Sequence, residues 1–171
     1  MIFETDRLYV TKWKPRDLNA LHELYNDTAI KEFILPLLTI EETQRIFEDQ
    51  LNHYTGNFPF GRYFIVEKLS NKFIGLLLFK KDNKKTGVEI GYSLRKTYWK
   101  KGYATEIVKE SIAWIFKAKG FSSIYAITGL HNENSKNVLL KCGFLPKENF
   151  TENGEEMNLF GLLKEDISVL Q

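Results

Sequence analysis

The chain has 171 residues, 43% of them hydrophobic and 27% charged, and its formal net charge is +2. This balance is typical of one folded globular domain and excludes a disordered chain. The small net charge, with no long basic stripe, disfavours nucleic-acid binding.

Cysteine and histidine usage limits the chemistry further. Cys142 is the only cysteine, so an internal disulfide is excluded, and the three histidines share no metal-ligand spacing with it. The first residues lack a signal-peptide pattern, and no apolar run is long enough to span a bilayer. We therefore expect no metal, no membrane partner and a cytoplasmic location.

The N-terminal part is predicted to form one strand and two helices. Apolar and polar residues alternate over Arg7–Trp13, which predicts a strand. Pro15 suits the first turn of a helix that ends near Asn26. A capping box of Thr39 and Glu42 predicts a second helix over Glu41–Tyr54.

The aromatic and apolar segment Phe33–Phe60 has two interpretations. It packs on the sheet, or it forms one wall of a substrate pocket, since such pockets are mainly apolar.

Three strands are predicted next, over Arg62–Lys68, Phe73–Lys80 and Val88–Leu94. The turn between the last two, 81–87, is lysine-rich, as solvated hairpin turns often are. Gly91 lies inside the third strand, where a glycine indicates a bulge or a close approach of a ligand to the backbone.

The stretch from Tyr92 to Phe116 is predicted to run from a strand end through a basic turn into an amphipathic helix over Gly102–Lys119. The first N–H groups of a helix have no partner within it, and the helix dipole makes that end partly positive. Two lysines precede the helix, and small residues there would let a phosphate approach. The pattern predicts a diphosphate-binding loop, although an ordinary helix start beside solvated lysines has the same sequence features.

The C-terminal part is predicted to contain a strand over Ser122–Thr128, a helix over Ser135–Cys142, and strands over Gly143–Phe150 and Glu155–Leu163. A strand, a helix and a further strand predict a parallel pair. Asn153–Gly154 predicts a tight turn. The fold class is therefore α+β with a mixed sheet.

Four sequence landmarks occur in a characteristic order: Thr5–Leu8, Glu89–Leu94, Trp99–Glu106, and Asn132–Ser135 followed by Val138–Phe144. In this order and spacing the chain resembles the GNAT superfamily of acyl-CoA-dependent N-acyltransferases, and within it the RimJ/RimL-like ribosomal-protein-alanine acetyltransferases. The resemblance covers essentially the whole chain. It implies a single GNAT domain over residues 1–171, with the strands that end at Leu94 and lie near Ile124 splayed apart.

The resemblance implies transfer of an acetyl group from acetyl-CoA to a primary amine, either a protein N-terminus or a small molecule. The alternative is a non-catalytic acyl-CoA-binding or sensor domain. A phosphate-binding kinase or nucleotidase is less favoured because no P-loop motif occurs, and a structural protein that has this motif order by chance is least favoured. The acceptor and the oligomeric state stay open, and a homodimer is compatible with the family.

The family pattern also assigns site residues. Those implied to bind acetyl-CoA are Tyr92, Ser93, Leu94, Trp99, Lys100, Lys101, Gly102, Tyr103, Ala104, Thr105, Asn132, Ser135 and Asn137. The pantetheine arm would pair with the splayed strand edge, and the diphosphate would bind at the helix start.

Glu89 and Ser135 are the candidate catalytic residues. Glu89 is either a general base acting through water or an ordinary strand carboxylate that faces solvent or a lysine. Ser135 either caps the following helix or faces the cofactor and serves the departing thiolate. The N–H of Leu94 is a candidate oxyanion donor.

The sequence departs from the family pattern at two positions. Lys100 stands where relatives often carry glycine. The diphosphate loop can still form with a lysine there if Lys100 keeps a negative φ. Leu139 stands where many GNAT enzymes carry a tyrosine that protonates the thiolate, so that acid is missing.

Overall fold

The computed structural model describes residues 1–27, 38–54, 60–81, 87–117 and 120–167. The chain forms two compact units, one of Met1–Phe79 with Tyr92–Tyr103, the other of Lys80–Gly91 with Ala104–Gln171. The strands over the described residues are β1 (Phe3–Glu4), β2 (Leu8–Thr11), β3 (Gly61–Glu67), β4 (Lys72–Lys81), β5 (Gly87–Leu94), β6 (Ser123–Gly129), β7 (Leu145–Glu152) and β8 (Glu155–Leu163). The helices are α1 (Leu18–Tyr25), α2 (Ile40–His53), α3 (Tyr103–Lys117), α4 (Glu133–Lys141) and α5 (Lys164–Ile167), with 3-10 turns at Pro15–Asp17 and Lys96–Tyr98.

The first unit contains an antiparallel ladder in the order β1-β2-β3-β4, with Leu8 opposite Glu67 and Ile65 opposite Gly75. Its core joins this ladder to α1 and α2 through buried apolar side chains: Trp13, Leu21, Leu24, Tyr25, Phe47, Phe64, Val66 and Leu76. The ring of Trp13 stacks on Phe47 at 5.7 Å between centroids. Burial of this apolar surface is the main stabilising contribution in such a unit.

The predicted capping box of α2 is confirmed. The N–H of Glu42 donates to Thr39 Oγ1 at 3.2 Å, and the N–H of Thr39 donates to Glu42 Oε2 at 2.8 Å. These reciprocal bonds satisfy two donors at the start of the helix.

The second unit contains the first part of β5, up to Gly91, and strands β6, β8 and β7, in the order β5-β6-β8-β7. β5 and β6 are parallel, as predicted, with a register that runs from Gly87 opposite Ser123 to Ile90 opposite Ala126. The register ends there, although β5 continues to Leu94 and β6 to Gly129. β6 and β7 each pair antiparallel with β8, so the last strand lies between them.

Most predicted boundaries agree with the structure within one or two residues. The sequence pattern does not reveal β1 or α5, which are too short to show periodicity. The predicted turn at Asn153–Gly154 is confirmed, with φ of 53° and 85°, the left-handed pair of a tight hairpin. The lysine-rich turn at 82–86 and two parts of the aromatic segment, 33–37 and 55–59, lie outside the described residues.

Within the described residues, no helix has the length and apolarity needed to cross a bilayer.

Candidate functional site

The loop that leads into α3 contains two residues in the left-handed conformation. Lys100 has φ of 59° and Gly102 has φ of 81°. The condition of a negative φ at Lys100 is therefore not met: a lysine adopts here the conformation that glycine adopts most readily. Left-handed residues in turns are a feature of anion-binding nests, in which successive backbone N–H groups point toward one concave side.

Contacts with two other segments of the first unit hold this loop. Arg7 Nη1 donates to the carbonyl oxygen of Lys101 at 2.9 Å, and the guanidinium carbon lies 4.4 Å from the ring centroid of Tyr103. Tyr103 is buried, and its hydroxyl donates to Glu67 Oε1 at 2.6 Å. Neither Arg7 nor Glu67 is among the sequence-predicted site residues. Arg7 does lie in the Thr5–Leu8 landmark, which is the signal that points to it.

Glu67 is a fixed acceptor in this network. Hydrogen bonds from Ser70 and Tyr103, followed by the charges of Lys101 and Lys72, lower the pKa of the Glu67 carboxyl group. The Ser70 hydroxyl donates to Oε2 at 2.6 Å, so each carboxylate oxygen accepts one bond. The side chain is thus a carboxylate at neutral pH and a constant partner for Tyr103.

The end of β5 packs closely against β4 in the first unit. A Cβ on Gly75 would lie 2.1 Å from the carbonyl oxygen of Ser93, so no larger residue fits without movement of backbone. The N–H of Arg95 donates to the carbonyl of Ile74 at 2.9 Å. Gly75 is thus a position where two strands approach closely, whereas the bulge or ligand approach expected at Gly91 stays a prediction.

The predicted acetyl-CoA residues Tyr92, Ser93, Leu94 and Trp99 lie together in this part of the first unit. Leu94 is buried and the other three are partly buried. The indole N–H of Trp99 donates to the carbonyl oxygen of Leu94 at 2.7 Å. The observed role of Trp99 is therefore to hold the strand end, next to the N–H that we predict as an oxyanion donor.

Glu89 lies in the second unit, where its Oε2 is 3.6 Å from Lys80 Nζ. The Glu89 side chain is 23% exposed and that of Lys80 is 65% exposed. One of the two interpretations of Glu89, a strand carboxylate facing a lysine, is thus observed. An ion pair with such an exposed lysine is weak and does not prevent Glu89 from acting as a base.

Asn132, not Ser135, caps α4. The side-chain oxygen Asn132 Oδ1 accepts a hydrogen bond from the N–H of Ser135 at 3.0 Å, and the helix begins at Glu133. The expectation that Ser135 is the cap is wrong. Asn132 takes that position because its side chain can accept from the N–H of Ser135, the third residue of the helix. Ser135 is partly buried and Asn137 is exposed on the same helix.

Leu139 is buried in the second unit with 1% of its surface exposed. It carries no proton that could be donated to a thiolate. The position where relatives carry a tyrosine is therefore part of the hydrophobic core in this protein.

The first turn of α3 includes Ala104 and Thr105, both partly buried. The Cys142 thiol contacts the carbonyl oxygen of Thr105 at 3.8 Å, and burial raises the pKa of this thiol to about 11. Cys142 is therefore a neutral thiol at physiological pH and is not a nucleophile. Within the described residues no group of His, Cys, Asp and Glu side chains could hold a metal ion.

Comparison with known proteins identifies the same family as the sequence landmarks. The family model described as "Acetyltransferase (GNAT) domain" matches residues 7–145. Uncharacterized N-acetyltransferase YoaA of Bacillus subtilis (strain 168) is 25% identical over 172 residues, covering 95% of this chain and 97% of the relative.

Two solved structures illustrate the likeness in fold. Ribosomal-protein-S5-alanine acetyltransferase from Vibrio fischeri superposes with a TM-score of 0.81 at 22% identity, covering 96% of this chain and 97% of the other. The Microcin C7 self-immunity acetyltransferase MccE, in complex with acetyl-CoA and AMP, superposes with a TM-score of 0.80 at 19% identity, covering 93% of each chain.

Proposed function

This chain belongs to the GNAT acetyltransferase family, and we propose that it acetylates an α-amino group, such as a protein N-terminus, by direct attack of that amine on acetyl-CoA. Membership in the family makes the chain an acetyl-CoA-dependent acetyltransferase. The acceptor class, the residue roles and the direct mechanism are the proposal.

The observation that supports the cosubstrate site is the conformation of the loop before α3. Lys100 and Gly102 are both left-handed, and the loop leads directly into the N-terminus of a helix of 15 residues. A concave turn of N–H groups at a helix N-terminus suits a diphosphate. The exposed Lys100 and Lys101 add positive charge there.

The pantetheine arm is assigned to the end of β5. The parallel register of β5 with β6 ends at Ile90, and β5 continues for four further residues, through Leu94. A chain with two amides can pair with such a strand end as an additional strand. Gly75 and Trp99 keep this end of β5 in place, through close packing and through the indole hydrogen bond.

The acceptor follows from the acid–base groups. An α-amino group has a pKa of about 7.7 to 8.0, whereas a lysine-type amine has a pKa of about 10.4. Near pH 7.5 roughly a third of the α-amino groups are neutral, against about one in a thousand lysine-type amines. Glu89 is the one carboxylate predicted as a base, and it faces Lys80. Because an α-amino group is already partly neutral, it depends less on a base, and the limited support for Glu89 as a base therefore suits an α-amino acceptor.

The reaction balances without a further co-reactant. The amine lone pair attacks the thioester carbonyl carbon, a C–N bond forms, and the C–S bond breaks with its electron pair leaving on sulfur. The ammonium proton passes to Glu89 through water, and the thiolate takes a proton from solvent, either directly or relayed by the Ser135 hydroxyl, which regains its proton from water. A thiol pKa of about 8.5 lets the thiolate leave partly ionised, so a buried Leu139 in place of an acid is tolerated.

A free-thiol release assay tests the proposal with matched peptides. One peptide has a free N-terminus and no lysine, and the other has a blocked N-terminus and one lysine. We expect CoA release with the first and at least tenfold less with the second at pH 7.5. Preference for the lysine peptide, or for a polyamine, would overturn the acceptor class.

A thermal shift experiment tests the cosubstrate separately. Acetyl-CoA at 100 times its Kd should stabilise the protein by about 2.7 kcal/mol, whereas ATP should not. Stabilisation without turnover of any amine would indicate an acyl-CoA-binding domain instead.

A further inference from the structure

We propose that Arg7 is a positioning residue, which holds the loop Lys100–Tyr103 in the conformation that binds the diphosphate of acetyl-CoA. What the loop binds rests on the proposed function. How the loop is held rests on contacts of the first unit alone.

The backbone of Arg7 is fixed at the end of the β2–β3 ladder. The carbonyl oxygen of Arg7 accepts a hydrogen bond from the N–H of Lys68 at 2.9 Å. Next to it, the N–H of Leu8 donates to Thr5 Oγ1 at 3.0 Å, and Leu8 is paired with Glu67 across the ladder. A side chain anchored in this way has a defined direction from which to reach the loop.

The guanidinium of Arg7 meets three successive loop residues. Nη1 donates to the carbonyl oxygen of Lys101, the guanidinium carbon lies 4.4 Å from the centre of the Tyr103 ring, and Nη2 lies 3.4 Å from the place of a Cβ on Gly102. Lys has no planar fork and cannot make this combination of contacts.

One of these contacts determines the direction of a backbone N–H. The peptide bond between Lys101 and Gly102 is planar and trans, so its C=O and N–H point in opposite directions. When Arg7 binds the carbonyl oxygen of Lys101, the N–H of Gly102 must point away from Arg7. The guanidinium therefore orients a donor of the predicted diphosphate site without being part of that site.

The second anchor of the loop lies beside the first. Tyr103, on which the guanidinium rests, donates its hydroxyl to Glu67, and Glu67 is opposite Leu8 in the ladder. Both anchors thus come from the end of the β2–β3 ladder. The loop needs such support because Lys100 is left-handed, a conformation that a lysine does not keep on its own.

The test compares two acetyl donors, acetyl-CoA and S-acetylpantetheine, which lacks the diphosphate. The variants are Arg7→Met and Arg7→Lys, with Arg16→Met as the matched control. The Arg16 side chain is 79% exposed and forms an ion pair with the neighbouring Asp17. We expect both Arg7 variants to raise the KM for acetyl-CoA about tenfold, with kcat within twofold of wild type. Their kcat/KM with S-acetylpantetheine should be unchanged, and Arg16→Met should behave as wild type with both donors.

Other outcomes would overturn the inference. Equal losses with both donors would show general damage, recovery by Arg7→Lys would show a role of charge alone, and no change would show no role. If the Arg7 variants do not fold, Tyr103→Phe replaces them as the test of how the loop is held. This variant removes only the hydroxyl and should raise the KM for acetyl-CoA about threefold.

Calorimetric titration with CoA separates this inference from the proposed function. A tenfold weaker Kd for CoA in Arg7→Met supports the positioning role even if no amine is acetylated, and an unchanged Kd rejects it. A wild-type protein that binds CoA but turns over neither donor would reject only the proposed function.

Discussion

Replacing Gly75 by alanine tests the close packing of β4 against the end of β5. The added Cβ would lie 2.1 Å from the carbonyl oxygen of Ser93, 2.7 Å from Leu94 Cδ2 and 3.1 Å from Leu94 Cα. A carbon and a carbonyl oxygen normally stay at least about 3.3 Å apart, so the two strands must separate by roughly 1 Å. The obstructing atom belongs to the backbone and cannot rotate away.

The expected effect on stability is at the upper end of that for overpacking, about 3 kcal/mol. For a chain of this size each kcal/mol lowers Tm by about 2 to 4 °C, so Tm should fall by about 6 to 12 °C. The KM for acetyl-CoA should also rise, because Ser93 and Leu94 are the strand end assigned to the pantetheine arm. Urea and thermal unfolding followed by circular dichroism, with steady-state kinetics, measure both effects.

Gly129→Ala is the matched control. Apart from its two chain neighbours, no atom of the described residues lies within 4 Å of a Cβ at Gly129, and the φ of Gly129 is not in the left-handed range. This variant should be within about 1 kcal/mol of wild type, since alanine reduces the entropy of the unfolded chain without strain. If Gly75→Ala is as stable as Gly129→Ala, the strands are not packed as described and the reasoning fails.

Three further predictions concern single side chains. The stability of Lys100→Gly in urea unfolding should stay within about 1 kcal/mol of wild type, because the relief of left-handed strain is offset by the greater entropy of the unfolded chain. Lys100→Val should be less stable than both, and the reverse order would contradict the left-handed conformation of Lys100. Glu89→Gln should lower kcat about 100-fold at neutral pH and leave the KM for acetyl-CoA unchanged, and an unchanged kcat would remove Glu89 from the mechanism. Because the pKa of Cys142 is about 11, only about one thiol in a thousand is ionised at pH 8, so iodoacetamide should alkylate the folded protein at least 100-fold more slowly than the urea-unfolded chain. The alkylation rate of the folded protein should rise about tenfold per pH unit up to that pKa. Equal rates in the two states would show that the thiol is not buried.

Features that depend on neighbouring residues are predictable from the sequence. The capping box of Thr39 and Glu42 and the turn at Asn153–Gly154 both occur as expected, because each involves at most four consecutive residues. The same local reasoning gives incorrect detail at α4, where Asn132 and Ser135 both suit a helix start. The helix geometry then makes Asn132 the cap and leaves Ser135 within the first turn.

The contacts that shape the diphosphate loop are not local. Arg7 and Lys101 are 94 positions apart and meet only because the β2–β3 ladder brings Arg7 to the loop. The conformation of Lys100 also depends on such support, since its intrinsic preference is for negative φ.

The sequence by itself determined the class of elements, their order and the family, because hydrophobic periodicity, capping and turn residues act over short distances along the chain. The tertiary structure decided that β8 lies between β6 and β7, that Gly75 lies against the backbone of Ser93, and that Arg7 and Glu67 hold the loop before α3. The physical reason is that strand neighbours and long side-chain contacts depend on which distant segments the sheet brings together, and no local pattern records that choice.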